Sequence, residues 1–440
     1  LAVGSLGQES LAGGTAAVWS AEAPYQVARQ IMARQVAYQA AQTTANYLAW
    51  FISSYAVMVS VGGTALVSRC IGAGERDQAN RAANQAVVLG VFVGLAGTVV
   101  GLLGLDTIIR WLQLRGDAAQ FAADYLRPLL LLLVFQMVEQ AGIASLVGAG
   151  DTRTGLLVLG GVALLNLPLA WGFYHGIGPV PGLGFAGIAW GTAVSHALGC
   201  LAVLGILAHG RARLRLEARW LVPDAGWQRR LLRVGLPAGF DSLSVATGHL
   251  WFLGIVNQLG DEASTAHGIA LRWESMAYLS GGAFGVAAMT LVGQYLGARR
   301  PEQASRSGWT AFGLGCGVMC AMAAVFYVFA PEMFYLFCPR PEQRPVIAVG
   351  VPVLRLVAFV MPALASCIIF TSALRGAGDT RVPVLFTWVG FLGVRIPLAY
   401  WLTASLGLYG AWLAMCADLV VRGGFFLYRF ASGRWKLIQV

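Results

Sequence analysis

The chain has 440 residues, of which 58% are hydrophobic and only 11% are charged, and it carries a net charge of +10 at neutral pH. Soluble globular proteins contain about 25% charged residues, so this composition excludes a water-soluble domain. The apolar stretches are continuous rather than alternating, which predicts membrane-spanning α-helices and argues against membrane strands.

The basic surplus consists almost entirely of arginine. The sequence has no long basic run interleaved with aromatic residues, so no nucleic-acid partner is expected. The seven cysteines lie mostly inside apolar segments and form no CxxC pair. They are predicted to be packing residues, without a disulfide or a structural metal.

The first 45 residues carry two unusual features. The opening residues LAVGSLG look like the end of a membrane helix rather than a signal peptide, so we expect a truncated first helix. Between about residues 17 and 45, the first half carries an extra segment relative to the second half. This segment predicts either an amphipathic re-entrant or surface helix, or an artefact of the gene sequence.

Eleven apolar segments follow, with lengths suited to crossing about 30 Å of hydrocarbon. They predict helices at about 41–70, 82–105, 121–147, 155–175, 184–208, 231–259, 264–296, 303–330, 346–374, 381–403 and 407–430. Arginine concentrates in every second connection, whereas 175–184, 259–264 and 404–410 contain no arginine or lysine. The positive-inside rule therefore predicts a multi-pass membrane protein whose C-terminus and GAGDTR loops are cytoplasmic.

The two halves of the chain repeat each other. GAGDTR occurs at 148–153 and again at 376–381, and ALVSRCIGAGERDQANRAA at 65–83 matches TLVGQYLGARRPEQASRSG at 290–308. Corresponding connections fall on the same side, which predicts parallel repeats related by an axis along the membrane normal. We therefore expect an all-α, polytopic membrane protein made of two six-helix bundles.

The repeat also predicts the domain organisation. An N-terminal lobe is expected over 1–208, a cytoplasmic linker over 209–230 and a C-terminal lobe over 231–440. Each GAGDTR copy predicts a cytoplasmic turn rather than a phosphate loop, because the GxxxxGK[ST] spacing is absent. The second glycine of each copy is predicted to end a helix in the left-handed conformation, and Asp151 and Asp379 are each predicted to cap the next helix.

The segment GLPAGFDSLSVATGHLWFLGIVNQLGDEASTAHGIALRWESMAYLSGGAFGVAAMTLVGQYLGARRPEQA at 235–304, with LRGAGDTR and RIPLAY, resembles the bacterial MATE (multidrug and toxic compound extrusion) family. The resemblance covers about residues 40–430. It implies two six-helix lobes and a secondary active transporter that exports organic cations or amphiphiles. Export would occur by antiport with Na⁺ or H⁺, without another cofactor.

The sequence departs from the family pattern at three positions. An acid that many members carry on the first helix would fall before Leu1. Asn166 matches the first residue of an Asn–Asp pair of the fifth helix, but Ala170 stands at the acidic position. Val245 stands where one subgroup carries an acid in helix 7. The resemblance therefore leaves the coupling ion open between Na⁺ and H⁺.

Acids inside the predicted spans are the main candidates for ion or substrate binding. A charge at the bilayer centre costs about 3 kcal/mol or more, so it needs a partner or a wet cavity. Glu139 lies one turn from Gln136 and beside Gln140, and these three predict a polar stripe that coordinates a cation or shares a proton. The alternative is a glutamate that only bonds a neighbouring helix.

Two further acids lie at positions that are acidic in MATE relatives. Asp241 follows Pro237 by one turn, and Pro237 is predicted to be the first residue of a helix, so Asp241 could instead serve the helix dipole. Glu274 lies two turns after His267 on the same helix face. The alternative for Glu274 is a structural pair with Arg272.

Asp418 and Arg422 are spaced i, i+4, which predicts a local ion pair near a helix end. Aromatic and thioether side chains could hold flat cations by apolar contact and cation–π attraction. Candidate cavity residues are Trp50, Tyr55, Phe252, Met276 and Tyr278, although any one of them could instead face lipid or another helix.

Three other functions compete with antiport. A lipid-linked oligosaccharide or lipid flippase shares the parallel layout, but its cavity would need several basic residues. Here Arg395 is the clearest base inside a span, and acids dominate. A membrane-embedded enzyme would need DDxxD, HExxH or a nucleophile set, and none occurs. A channel would need a filter motif or a ring-forming short subunit. We expect a monomeric transporter whose partners are small molecules and membrane lipid.

Overall fold

The structure, a computed structural model, describes residues 54–111, 117–177 and 180–438. Nearly all of these residues are helical, and the regular β structure among them is one antiparallel ladder between Gly176–Ile177 and Val180–Pro181. The prediction of an all-α fold is confirmed. The extra segment predicted near 17–45 lies outside the described residues.

The helices are numbered in chain order within the described ranges. They are α1 Ser54–Gly72, α2 Arg76–Trp111, α3 Asp117–Leu131, α4 Leu133–Gly148, α5 Thr152–His175, α6 Phe185–Ala208, α7 Ala225–Asn257, α8 Asp261–Gly297, α9 Pro301–Val328, α10 Ala330–Tyr335, α11 Arg344–Phe359, α12 Met361–Gly376, α13 Arg381–Trp388 and α14 Ile396–Ala431. A π-helical segment, Val389–Arg395, joins α13 to α14. Each of the eleven predicted spans overlaps helical residues.

Two predicted spans are bent. The axis turns by 51° between α3 and α4. It turns by 56° between the helical segment Pro341–Phe359, which includes α11, and α12. Pro128 lies in the last turn of α3, and Pro362 lies in the first turn of α12. Because proline removes a backbone donor and crowds the preceding turn, Pro362 explains the break just before α12, whereas Pro128 lies one turn before the break between α3 and α4.

The helices are suited to a membrane by length and surface. Seven helices of the described chain are long and apolar enough to cross a membrane, or up to nine when each bent pair is one span. α5 exposes a row of large apolar side chains, among them Leu157, Leu164 and Trp171. A continuous apolar exterior of this kind would be costly in water and is favourable in lipid.

The buried apolar side chains form two main clusters. One contains residues of α1–α6 and the first half of α7, with Met289 of α8. The other runs from the second half of α7 to the C-terminal segment after α14. Trp227 and Val234 belong to the first cluster, and Phe252 and Val256 belong to the second, so α7 connects the two lobes.

The segment predicted as a linker is packed on α2 by a ladder of amides. Asn80 and Asn84 exchange hydrogen bonds with the backbone of Arg215 and Glu217, at 2.7–2.9 Å. The Nε2 atom of Gln85 donates to the carbonyls of Trp220 and Val222, each at 2.7 Å. This part of the linker is therefore held against the N-terminal lobe, and α7 already begins at Ala225 rather than near residue 231.

Asp224 caps the start of α7. Its carboxylate accepts a hydrogen bond from the backbone N–H of Trp227 at 3.1 Å and forms an ion pair with Arg81 of α2. The Trp227 N–H, followed by the charge of Arg81, holds the pKa of Asp224 below its usual range. Asp224 therefore stabilises the fold in its ionised form.

Asp224→Ala should lower the apparent melting temperature in detergent at neutral pH. Because the folded pKa is lowered, the contribution of Asp224 is present above the ordinary aspartate pKa of about 4. It is lost as the pH falls through the lowered folded value, so the two melting curves should converge in acid. Asp261→Ala, at an exposed position in the first turn of α8, is the control. A difference that is constant with pH would contradict this role.

The two GAGDTR turns have the same backbone conformation, but only the first has an aspartate that caps the next helix. Gly150 and Gly378 both have positive φ, 95° and 82°, as predicted. Asp151 caps α5 by accepting from the backbone N–H of Thr154 at 3.0 Å and from its hydroxyl at 2.7 Å. The prediction for Asp379 is wrong, because its carboxylate instead pairs with Arg429 of α14 at 2.8 Å.

The same substitution in the two turns should therefore have unequal effects. Asparagine caps a helix about as well as aspartate, and the ion pair of Asp151 with Arg211 is largely exposed, so Asp151→Asn should cost less than about 1 kcal/mol. Asp379→Asn removes the charged partner of Arg429 and should cost about 2 kcal/mol. Apparent unfolding free energies measured in the same detergent would check this, and equal losses would contradict it.

Candidate functional site

Glu274 is a carboxylate without a direct partner inside the C-terminal lobe. It lies in the middle of α8, partly buried, and within the described chain it forms no hydrogen bond or ion pair. Arg272 does not pair with it; its guanidinium lies 5.6 Å from the ring centre of Phe337. The charge that does act on Glu274 is that of Arg395, through space.

Arg395 belongs to a buried cluster with Asp418 and Arg422. The Oδ2 atom of Asp418 accepts from Arg395 at 2.7 and 2.8 Å, and Arg422 binds both oxygens at 2.6 and 2.7 Å. Asp418 is fully buried, and both guanidinium groups lie over the ring of Phe391, at 4.3 and 4.7 Å. The predicted Asp418–Arg422 pair is present, and Arg395 joins it as a third member.

A bulge in the helix makes room for this cluster. Arg395 ends the π-helical segment Val389–Arg395, which displaces its side chain relative to a regular helix. Gly390 lies against Asp418, and a Cβ atom there would overlap the carboxylate. Local irregularity, rather than a regular apolar face, therefore positions the charged groups.

The charge of the region depends on Glu274. Arg395 and Arg422 contribute two positive charges and Asp418 one negative charge, so an ionised Glu274 makes the group neutral. When Glu274 is protonated, one positive charge remains uncompensated in a low-dielectric region. A proton or another cation at Glu274 therefore changes the electrostatics of this part of the lobe.

His267 is a packing residue on the same helix. It is 3% exposed, and its Nδ1 accepts a hydrogen bond from the indole N–H of Trp412 at 3.1 Å. Phe252 is 1% exposed and lies 5.8 Å from the His267 ring and 5.6 Å from the Arg395 guanidinium. Phe252 had been predicted to line a cavity. The structure instead places it in the core of the lobe.

Asp241 forms a separate buried pair with Arg375 of α12. The two side chains meet at 2.8 Å between Oδ2 and Nη2, and Asp241 is 3% exposed. Its Oδ1 atom has no hydrogen-bond partner in the described chain. The prediction that Pro237 begins a helix is wrong, since α7 begins twelve residues earlier at Ala225 and Pro237 lies in its interior.

Glu139 is paired with a histidine of a neighbouring helix. Its Oε2 atom lies 2.7 Å from Nδ1 of His196 on α6, and Glu139 is fully buried. Gln136 and Gln140 are partly buried and make no hydrogen bond to it within the described residues. The predicted stripe along α4 is therefore a contact between two helices, and the lone histidine in the apolar segment GTAVSHALG was the available signal.

Asn166 ties α5 to α6. Its amide donates to the hydroxyl of Thr192 at 2.9 Å, which in turn donates to the carbonyl of Ile188 at 3.1 Å. Thr192 lies one turn before His196, so the two polar contacts follow one another along α6. Two polar contacts, Asn166–Thr192 and, one turn later, His196–Glu139, thus lie in succession on α6 and are named here the N-lobe seam.

Four of the five candidate cavity residues lie in the described part of the chain. Trp50 lies outside the described residues. The hydroxyl of Tyr55 donates to the carbonyl of Val93 at 2.9 Å, which packs α1 on α2. Met276 and Tyr278 are 50% and 54% exposed on α8, apart from the buried Phe252.

Comparisons with known proteins agree with this architecture. A family profile described as MatE matches residues 36–171 and 237–401, more than half of the chain. The probable multidrug resistance protein NorM of Thermotoga maritima is 29% identical over 396 residues, covering 89% of this chain and 84% of that protein. The multidrug resistance protein NorM of Burkholderia vietnamiensis is 31% identical over 310 residues, covering 66% of each chain.

Solved structures show the same fold. One is described as the outward-facing conformation of a multidrug resistance MATE family transporter; it aligns with a TM-score of 0.83 at 21% identity, covering 90% of this chain and 88% of that one. Another is a MOP superfamily transporter from Pyrococcus furiosus, described as having a binding pocket of reverse polarity, with a TM-score of 0.82 and 20% identity. It covers the same shares of the two chains. The chain is therefore a multi-pass membrane protein of the MATE family, a transporter rather than an enzyme.

Proposed function

We propose that this chain exports organic cations or amphiphilic drugs by antiport with Na⁺ or H⁺. The observation that carries the proposal is Glu274, a carboxylate inside a span that no described residue binds directly. The relatives named multidrug resistance protein support the class of cargo. The protein acts in the bacterial inner membrane, with the linker and the C-terminus in the cytoplasm, as its arginine distribution favours.

Glu274 would hold the cargo and the coupling ion in turn. An ionised Glu274 attracts an organic cation, and Na⁺ or a proton at the same carboxylate releases that cation. The two ligands compete because both neutralise the same charge, which links their binding in opposite directions. Rocking of the two lobes about α7 and the linker would then expose Glu274 to each side of the membrane.

The arrangement of buried arginines favours this cargo over that of a flippase. A lipid pyrophosphate needs basic groups that are free to bind it. Arg395 and Arg422 share Asp418, and Arg375 binds Asp241. Each of these guanidinium groups is therefore bound to a protein carboxylate, whereas Glu274 has no directly bound counter-ion in the described chain.

Cells that express the complete gene provide the test. Ethidium accumulation should fall relative to cells with an empty vector, and the difference should disappear when both the Na⁺ and the proton gradients are collapsed. Accumulation that stays the same under every gradient would contradict antiport. A labelled lipid-linked sugar that crosses the membrane instead would support the flippase.

A further inference from the structure

We propose that Glu139 and His196 form a proton-binding site in the N-terminal lobe, and that the antiport of this chain uses the proton bound there. The inference rests on the proposed function and names its coupling ion. It concerns a pair on α4 and α6, separate from the Glu274 region in the other lobe. The N-terminal lobe would then carry a proton of its own, in addition to the cation that displaces the cargo from Glu274.

The carboxylate of Glu139 has one hydrogen-bonding partner in the described chain, and that partner is itself a titratable side chain. Nδ1 of His196 and Oε2 of Glu139 are 2.7 Å apart, and Glu139 is completely buried. The other oxygen, Oε1, has no donor within the described chain. Gly199 of α6 lies against this oxygen: a Cβ at that position would lie 2.8 Å from Oε1 and would overlap the side chain of Val162.

Apolar surroundings make an isolated negative charge here costly. A buried carboxylate with an unbonded oxygen keeps much of its desolvation cost. One added proton makes the pair neutral, whether it rests on Oε2 or as a second proton on the imidazole. No other bond forms or breaks, so loading and unloading the site moves one proton and one unit of charge.

Few other ionisable groups face the pair. Cys200, one turn beyond His196, interacts electrostatically with Glu139. Among the helices packed on α4 and α6, α2 has no ionisable side chain between Arg81 and Asp106, and α5 has none between Arg153 and Tyr174. The remaining ionisable residues on the facing segments form no hydrogen bond or ion pair with either member: Tyr55, Arg69 and Cys70 on α1, Asp124, Tyr125 and Arg127 on α3, and Tyr295 on α8.

His196 provides the exchange route for the proton. Its side chain is 21% exposed, in contrast to the fully buried Glu139. The hydroxyl of Thr192, one turn away, is engaged with the amide of Asn166 and the carbonyl of Ile188, so His196 is the exposed member that exchanges the proton. A proton can therefore reach the imidazole first and Glu139 second.

Purified protein tests the site without relying on transport. Infrared difference spectra between acid and alkaline pH contain the carbonyl stretches of all carboxyl groups that take up a proton, so each variant is compared with the wild type. The wild-type spectrum minus that of Glu139→Gln should isolate one carbonyl band, with the high frequency of a buried, weakly hydrogen-bonded carboxylic acid. His196→Asn should shift the pH at which that band appears. Glu262→Gln and His209→Asn change the same residue types at exposed positions of α8 and beyond α6, and should leave the Glu139 band as it is. A Glu139→Gln spectrum that lacks no band of the wild type would overturn the proposal.

Proteoliposomes then test coupling. A pH gradient alone should drive ethidium transport in the wild type, and Glu139→Gln and His196→Asn should each slow it about tenfold or more. Ethidium affinity should change little, because the cargo binds in the other lobe. Undiminished pH-driven transport in both variants would overturn the inference. If the wild type shows the infrared signal but transports under no gradient, the proton site stands and the proposed antiport fails.

A separate observation concerns the duplicated GAGDTR turns. We infer that they are the two halves of a latch that holds the lobes together at the linker end, the end of the molecule where residues 209–224 and both turns lie. The Nη2 atom of Arg69, at the end of α1, donates to the carbonyl of Ala377 at 2.8 Å. The amide of Gln294, at the end of α8, donates to the carbonyl of Gly148 at 3.0 Å.

The two contacts are related by the internal repeat. Arg69 and Gln294 occupy equivalent positions in the matching segments 65–83 and 290–308, and each reaches the GAGDTR turn of the opposite lobe. Gly72 and Gly297 are equivalent in the same way. A Cβ on Gly72 would overlap the carbonyl of Gln294, and one on Gly297 would overlap that of Arg69. The close approach of α1 and α8 therefore depends on glycine at both positions.

Hydrogen exchange of the intact chain tests the latch. Arg69→Gln should raise amide exchange about fivefold or more in both turns, 146–152 and 374–380, although Arg69 contacts only the second. Arg306→Gln, at an exposed arginine of α9, should change neither turn. A rise confined to 374–380 would show a local contact and overturn the latch.

Discussion

Asp418→Asn is expected to prevent the accumulation of folded protein. The substitution leaves Arg395 and Arg422 side by side over Phe391 without the carboxylate that binds both. Removing one partner from a buried ionic group costs about 3–5 kcal/mol, which is comparable to the stability of many folded domains. Size-exclusion chromatography in detergent and the apparent melting temperature measure the effect, with Asp261→Asn as an exposed control.

A double substitution isolates the cause. Asp418→Asn combined with Arg422→Gln removes one of the two buried positive charges together with its partner, so it should be less harmful than Asp418→Asn alone. Non-additivity of this kind identifies the ionic cluster rather than the loss of packing volume. Wild-type melting of Asp418→Asn would contradict the described cluster.

Glu274→Gln is expected to abolish gradient-driven efflux of ethidium while leaving the protein folded. The amide fixes the Arg395–Asp418–Arg422 group at one positive charge and removes the carboxylate that could attract a cation. Efflux should fall by about a hundredfold, the upper range of coupling between two ligands. Folding should persist because no described hydrogen bond depends on Glu274.

The matched control is Glu262→Gln, the same change at an exposed position in the first turn of α8. It should transport like the wild type. Efflux from Glu274→Gln equal to that of the control would show that the coupling carboxylate lies elsewhere, and Asp241 would be the next carboxylate to replace.

The architecture could be predicted because its signals are local. Apolar runs indicate helices wherever they occur, and the offset between 65–83 and 290–308 indicates parallel lobes without knowledge of any contact. Breaks inside the spans were missed, since Pro128 and Pro362 are also compatible with a continuous kinked helix. The start of α7 was missed because the polar residues 225–230 resemble a linker in composition.

The candidate acids could be located from the sequence, but their partners could not. Glu139 binds a histidine 57 residues away, and Asp241 binds an arginine 134 residues away. Helical periodicity relates residues three or four positions apart and carries no information on such pairs. The two GAGDTR copies also differ in their partners. The carboxylate of Asp151 accepts a hydrogen bond from the hydroxyl of Thr154, whereas the residue equivalent to Thr154 in the second copy is Val382, which has no hydroxyl. Arg429 therefore binds Asp379 instead.

Transport by purified protein in proteoliposomes shows directly whether the chain couples ethidium movement to an ion gradient. With ethidium on both sides, a gradient of Na⁺ or of protons imposed alone should drive its net movement against the ion flow, and collapse of that gradient should stop it. The account predicts concentrative movement in the wild type and none in Glu274→Gln. Equilibration of ethidium at the same rate with and without either gradient would contradict antiport.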